Sequence, residues 1–262
     1  MYANSSNHVR AGFAWMERVR GSLAELQPGQ VDPATEQFFY NHYQANIPTM
    51  FKLKPWPAFE WTMDVLREKI GNPLVEIQGD RLADLQYELN APSHKMVMPF
   101  WPFLDEMTTG AANNVYMTAQ NRSINSAALA PLWRDVGPLP GCLQQCPDAA
   151  FVWLGRDTIT PLHHDESNNL MCEIMGWKLL RLFDPDQRDK LDNYIGVHSR
   201  LGWVTDAVVA ERQLTVRDVW LQPGSAFFLP IGWWHCVKAV GVAMTLVYTN
   251  FIWQNYWGRV TS

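Results

Sequence analysis

Apolar residues recur every three to four positions through the first third of the chain. Val9, Phe13 and Met16, followed by Leu23 and Leu26, fall on one face of a helix. A second helix is predicted to follow, with Asp32 as its cap, Pro33 in its first turn, and Phe38, Phe39 and Tyr43 facing inward. Thr62 ahead of MDVLREKI, with Gly71 behind it, reads as a capped helix with a glycine stop. PFWPFLDEMTTG repeats that logic through Phe100, Phe103, Leu104 and Met107. IPTMFKL and NPLVEIQ, between these helices, are short enough to be strands.

The rhythm changes after about residue 113. NNVYMTAQ, AFVWLGR, NNLMCEIMG, WKLLRLFD, SAFFLP and VAMTLVYTNFIW are short apolar or alternating runs separated by Gly, Pro and Asp, the pattern of an antiparallel barrel or sandwich. Residues 185–220 are more polar and read as an excursion between strands. The expected architecture is mainly β with flanking α, in one domain over residues 1–262. Residues 1–112 form a mainly helical part packed outside a β core made by residues 113–262.

Composition narrows the function classes. A net charge of -5 provides no basic stripe for a phosphate backbone, so no nucleic acid partner is expected. Four cysteines (Cys142, Cys146, Cys172, Cys236) are too sparse for a disulfide scaffold, which points to a reducing, cytoplasmic setting. CLQQC lacks the second close pair that a zinc site needs. The start, MYANSSNHVRAGF, has no apolar targeting core, and no apolar run approaches a membrane span, so no membrane association is expected. Apolar surface on the terminal helices would favour a homodimer.

The candidate chemistry centres on Thr160-Pro161-Leu162-His163-His164-Asp165, just ahead of a strand-like run. On an extended backbone His163 and Asp165 project together while His164 points away. His235, in Pro230-Ile231-Gly232-Trp233-Trp234-His235, is the candidate third ligand, delivered by the turn and strand of QPGSAFFLP. Two imidazoles and one carboxylate on one face of an ion form the facial triad of non-haem iron(II) oxygenases. Alone, His-X-Asp is a weak signal: His235 could bond a backbone carbonyl at a barrel end, and His163 could be a solvated turn residue.

Lys178 stands fifteen residues after His163, in GWKLLRLF, where alternation puts it on the face of Leu180 and Leu182. A lysine on an apolar face needs a charged partner or a route to solvent. The distal carboxylate of 2-oxoglutarate is the functional candidate for that partner. Asn250 stands fifteen residues after His235, and alternation groups it with Leu246 and Tyr248. A buried amide there must be hydrogen-bonded, to ligand or to backbone.

Taken in order, TPLHHD, NNL, GWKLLRLFDP, QPGSAFFLPIGWWH and YTNFIW resemble the cupin-like branch of the JmjC hydroxylases, the group that includes the asparaginyl hydroxylase of the hypoxia-inducible factor. The specific likeness covers roughly residues 150–253. It implies a double-stranded β-helix of the cupin or jelly-roll type, with iron(II) held by His163, Asp165 and His235 and with 2-oxoglutarate and dioxygen as cosubstrates. It also implies that Lys178, Thr160 and Tyr116 bind the distal carboxylate, and that Asn169 and Asn250 sit beside the cosubstrate's metal-binding end. His164 occupies a position where the family also shows tyrosine.

The implied reaction is hydroxylation of an unactivated C–H bond, with release of succinate and carbon dioxide. The substrate class is a peptide or protein side chain, or an amino-acid-derived small molecule. N-methyl demethylation uses the same metal chemistry and is the alternative within the family. A metal-dependent cupin enzyme without 2-oxoglutarate, or a cupin-like sensor, is the alternative outside it. Trp56, Trp61, Trp177, Trp233 and Trp234 are candidate cleft walls, each of which could equally be core.

Overall fold

The computed structural model describes residues 36–118 and 124–255. The helix expected through Val9, Phe13, Met16, Leu23 and Leu26, and the start expected at Asp32 and Pro33, lie outside those residues. The described strands are β1 (Thr49–Lys52), β2 (Leu74–Gln78), β3 (Lys95–Pro99), β4 (Tyr116–Met117), β5 (Phe151–Arg156) and β6 (Ile159–His163). They continue with β7 (Asn169–Phe183), β8 (Asn193–Ile195), β9 (His198–Ser199), β10 (Arg217–Leu221), β11 (Ser225–Leu229) and β12 (Trp234–Tyr248).

Two strands of 15 residues organise everything else: β7 and β12 pair antiparallel along most of their length. The first half of β7 and the second half of β12 belong to the path β1-β11-β7-β12-β5-β4-β2-β3. Their other halves carry a smaller layer, in which β10 pairs with β7, β6 with β12, and β9 with both β6 and β8. This is the cupin or jelly-roll arrangement, mostly antiparallel, with two layers sharing their central pair.

Glycine makes the shared strands bend. Gly176 has φ +76°, and a Cβ there would stand 2.2 Å from the carbonyl oxygen of Val242 on β12. Only a residue without a side chain permits that approach. The bend also switches parity. Met171 before it, and Leu180 and Leu182 after it, enter one apolar cluster with Phe227, Trp233 and Val237. Leu170, Cys172 and Ile174 face the opposite way, into the larger cluster. Lys178 therefore lies on the inward side, two residues ahead of Leu180.

The N-terminal helices cover the outer face of the larger sheet. Helix α1 (Met63–Ile70) starts at Thr62, whose Oγ1 accepts from the Val65 amide at 3.2 Å, and ends at Gly71 with φ +73°. Helix α2 (Phe100–Thr109) buries Phe100, Phe103, Leu104 and Met107, one apolar stripe that packs with Val152, Leu154 and Leu246. Residues 36–43 form one α turn followed by a π-helical turn, with Phe38 and Tyr43 buried and Phe39 half-buried. Among the described residues no helix is long and apolar enough to cross a membrane.

The structure redraws several elements. NNLMCEIMG and WKLLRLFD are one bent strand, because glycine at the bend preserves the ladder across it. NNVYMTAQ contributes only Tyr116–Met117 to the sheet, and β3 joins it where no strand is expected, since Met96 and Val97 stay exposed on an outer strand. The excursion at 185–220 contains β8, β9, the helix Asp206–Glu211 and β10. β10 is a full partner of β7, with Val219 and Leu221 buried in the inner cluster.

Candidate metal and cosubstrate site

His163 closes β6 and His235 is the second residue of β12. The antiparallel register sets them directly opposite one another, with ring centroids 4.2 Å apart. Asp165 follows two residues beyond His163. Its Oδ1 lies 3.8 Å from His163 Nε2 and its Oδ2 3.7 Å from His235 Nε2. One ligand atom from each of the three residues falls within 4.8 Å of the others. Strand register brings together His163 and His235, which are seventy-two positions apart.

Backbone carbonyls set the tautomer of both rings. His163 Nδ1 is 2.8 Å from the oxygen of Pro161, and His235 Nδ1 is 3.0 Å from that of Trp233. A carbonyl only accepts, so each Nδ1 carries the proton and each Nε2 presents its lone pair to the centre. Burial, followed by the neighbouring His163, pushes His235 down to about 4, which keeps the ring neutral and ready to ligate at neutral pH. Two imidazoles that turn Nε2 to the centre, with a carboxylate, suit a divalent first-row metal such as iron(II).

Asp165 is itself held. Its backbone oxygen accepts from the Gly232 amide at 3.1 Å, tying the ligand arm to the corner that delivers His235. Its Oδ2 accepts from the side-chain amide of Asn169 at 2.6 Å. Asn169, expected beside the cosubstrate, is thus placed against the carboxylate of the candidate metal cluster. His164 points elsewhere: its ring packs edge-on against Trp234 with centroids 4.7 Å apart.

Lys178 is buried, and its Nζ lies 6.0 Å from the Tyr116 ring centroid. Tyr116 is buried between Trp153, 5.6 Å away, and the guanidinium of Arg81, whose Cζ is 4.9 Å from the ring. Thr160 lies on β6, paired across to Val237. Asn250 requires a correction. β12 ends at Tyr248, so the alternation with Leu246 and Tyr248 does not extend to it, and those two face the outer cluster. The chain turns there to meet another loop: the Asn250 amide donates to the Gln144 carbonyl at 3.1 Å, and its buried Oδ1 has no partner among the described residues.

Two residues near the site were missed by sequence reasoning. His198 on β9 pairs opposite His163, with ring centroids 6.1 Å apart, and nothing in the polar run around it marks it out. Glu173 on β7 is fully buried, and its Oε2 accepts from Thr245 Oγ1 at 2.7 Å while Oε1 has no partner among the described residues. Burial pushes its carboxyl up to about 8, against the opposing influence of Lys178. Its signal was present, as a lone charge within the apolar run NLMCEIM. Of the tryptophans, Trp56, Trp61, Trp233 and Trp234 are core, whereas Trp177 is exposed on the outer side of β7.

Residues 35–257 match the family model described as a cupin-like domain. The chain is 24% identical to Jumonji C domain-containing protein 5 of Drosophila melanogaster, over 85% of this chain and 58% of that protein. It is 25% identical to Lysine-specific demethylase JMJ30 of Arabidopsis thaliana, over 84% and 53%. It is 22% identical to Lysine-specific demethylase 8 of Xenopus tropicalis, over 85% and 51%. The chain spans about half the length of these relatives.

Proposed function

Because this chain belongs to the cupin-like JmjC family, whose members depend on iron(II) and 2-oxoglutarate, we propose that it is an iron(II)- and 2-oxoglutarate-dependent dioxygenase. The reaction we assign is hydroxylation of an unactivated C–H bond in a peptide or protein side chain or an amino-acid-derived molecule. One observation carries this reading: the converging Nε2 atoms of His163 and His235 with the Asp165 carboxylate, each fixed from behind by a hydrogen bond.

Bound iron(II) would supply the redox chemistry that couples decarboxylation of 2-oxoglutarate, to succinate and carbon dioxide, to oxygen insertion. The protein's own contribution is positional. His163, Asp165 and His235 would hold the ion, and iron so held would have positions free for cosubstrate and dioxygen. Lys178 holds a positive charge inside the barrel for the distal carboxylate, with Thr160 and Tyr116 as hydroxyl donors. The apolar cluster of Leu180, Leu182, Phe227 and Val237 keeps the surroundings dry, which strengthens that charge pairing.

The names of the relatives favour a second reading, N-methyl-lysine demethylation, which begins with abstraction of hydrogen at the same centre. The test is mass spectrometry of matched methyl-lysine and unmodified peptides incubated with protein, iron(II), 2-oxoglutarate and dioxygen. Gain of one oxygen atom supports hydroxylation; loss of a methyl group with formaldehyde release supports demethylation. Absence of succinate with every substrate, from protein that binds iron and folds, would rule out both.

A further inference from the structure

Glu173 is the one fully buried acid on the inward face of β7, and the metal chemistry proposed above makes no use of it. Its position follows from the bend at Gly176: with Met171 it points inward from the first half of the strand, as Lys178 does from the second. Thr245, directly opposite on β12, donates to Oε2. The other oxygen, Oε1, is sealed from solvent and has no donor or acceptor among the described residues. A buried polar atom without a partner is uncommon in folded proteins, and one under the influence of the buried Lys178 is a natural place for a ligand's own polar group.

The charges around it decide its form. Lys178 faces it from beyond the bend, and Tyr116 of β4 stands across Lys178. Arg81, behind Tyr116, is already matched by Glu88 at 2.9 Å. Cys172, its neighbour on the opposite face of β7, has a thiol pushed well up by burial, then by Cys142 and Glu173, and so contributes no charge. A single lysine must therefore serve whatever anion enters. If Glu173 were ionised it would cancel Lys178 and repel a dicarboxylate.

We propose that Glu173 is a further cosubstrate-binding residue, meeting the distal carboxylate of 2-oxoglutarate as a neutral carboxyl group and donating a hydrogen bond to it. This rests on reading the Lys178 region as the 2-oxoglutarate site. Oε1 carries the proton, Oε2 keeps the bond from Thr245, and Lys178 supplies the compensating charge. Cosubstrate binding is then selective for the protonated protein, so raising the pH releases the ligand without disturbing the iron ligands.

The test is anaerobic calorimetric titration of 2-oxoglutarate into the iron(II)-loaded protein, from about pH 6.5 to about pH 9.5. The expected Kd is flat at the acid end and rises about tenfold per pH unit once Glu173 ionises. Glu173→Gln, which is isosteric and keeps an acceptor for Thr245, is expected to bind with a Kd that is flat over the same range. A monocarboxylate analogue, 2-oxobutyrate, is expected to bind the wild-type protein without that rise. A flat wild-type profile, a rise retained in the Gln variant, or the same rise with 2-oxobutyrate each overturns the role of Glu173. Should the Gln variant fail to fold, the comparison of the two ligands on wild-type protein decides alone. Iron-loaded protein that binds no 2-oxoglutarate at any pH overturns the underlying reading of the site as well, and so the two failures are distinguishable.

Discussion

The side-chain amide of Asn169 donates to Oδ2 of Asp165 at 2.6 Å, so the carboxylate of the candidate metal site is braced by the first residue of the long strand β7. Such bracing fixes the carboxylate's orientation and holds the arm ready for an ion. Removing the brace should leave the ligand set intact but loosely aimed. Asn169→Ala is therefore expected to weaken iron(II) binding by about 10- to 100-fold. Anaerobic metal titration followed by tryptophan fluorescence measures this; unchanged affinity would show that the bond is incidental.

Substituting a ligand should act more severely. Asp165→Ala takes away the only carboxylate in the cluster and leaves His163 and His235 with ring centroids 4.2 Å apart. Loss of stoichiometric iron binding and of succinate formation is expected, with the melting temperature of the metal-free protein changed little. Full succinate production by an iron-free variant would place the chemistry elsewhere.

Lys178→Ala removes the buried cation on the inward face. The 2-oxoglutarate concentration needed for half-maximal turnover should rise by at least about tenfold, the effect of losing a charge-assisted hydrogen bond. Iron affinity should be retained. Steady-state assays across cosubstrate concentration, with metal held saturating, make the comparison.

Glu173 also has a consequence for stability in the absence of ligands. Its folded pKa, about 8, lies above its ordinary value of 4.5, so the folded protein holds a proton that the unfolded chain releases across that interval. Stability is then greatest below pH 4.5 as far as this group is concerned, falls as pH rises toward 8, and levels off above it. Glu173→Gln should abolish this loss, so its stability advantage grows across the window to a few kcal/mol, an order-of-magnitude figure. Urea denaturation of the metal-free proteins at a series of pH values reads the difference.

Gly176→Ala tests the bend. The added methyl would meet the Val242 carbonyl at 2.2 Å and must adopt φ +76°. A destabilisation well above ~1 kcal/mol is expected from the backbone conformation alone, with the steric clash added to it. Thermal unfolding measures it.

Much of this architecture was legible because it rests on local rules. The Thr62 cap, the Gly71 stop and the Phe100 stripe depend on neighbours a few residues away, and each appears as read. The grouping of His163 with Asp165 needed only alternation along an extended arm. Asn250 misled because alternation has meaning only while the strand continues, and β12 stops two residues short of it. The bond from Asn169 to Asp165 was not legible, since a side-chain hydrogen bond depends on loop geometry that carries no sequence period. Glu173 and Lys178 are five apart, a spacing that alternation assigns to opposite faces. Only the parity switch at Gly176 turns both inward, and a positive φ cannot be read from a glycine by itself.

That switch constrains how the chain can change over evolutionary time. The run from Gly176 to Leu182 must enter the second layer in one frame, because its register against Val240, Ala239 and Val237 of β12 sets which side chains face in. Inserting or deleting a single residue there would carry Lys178, Leu180 and Leu182 to the outer surface together and bring Trp177 and Leu179 inside. Substitutions can be sampled one at a time at these positions, but the length of this short segment is frozen, because a change in length exchanges the whole interior lining in one step.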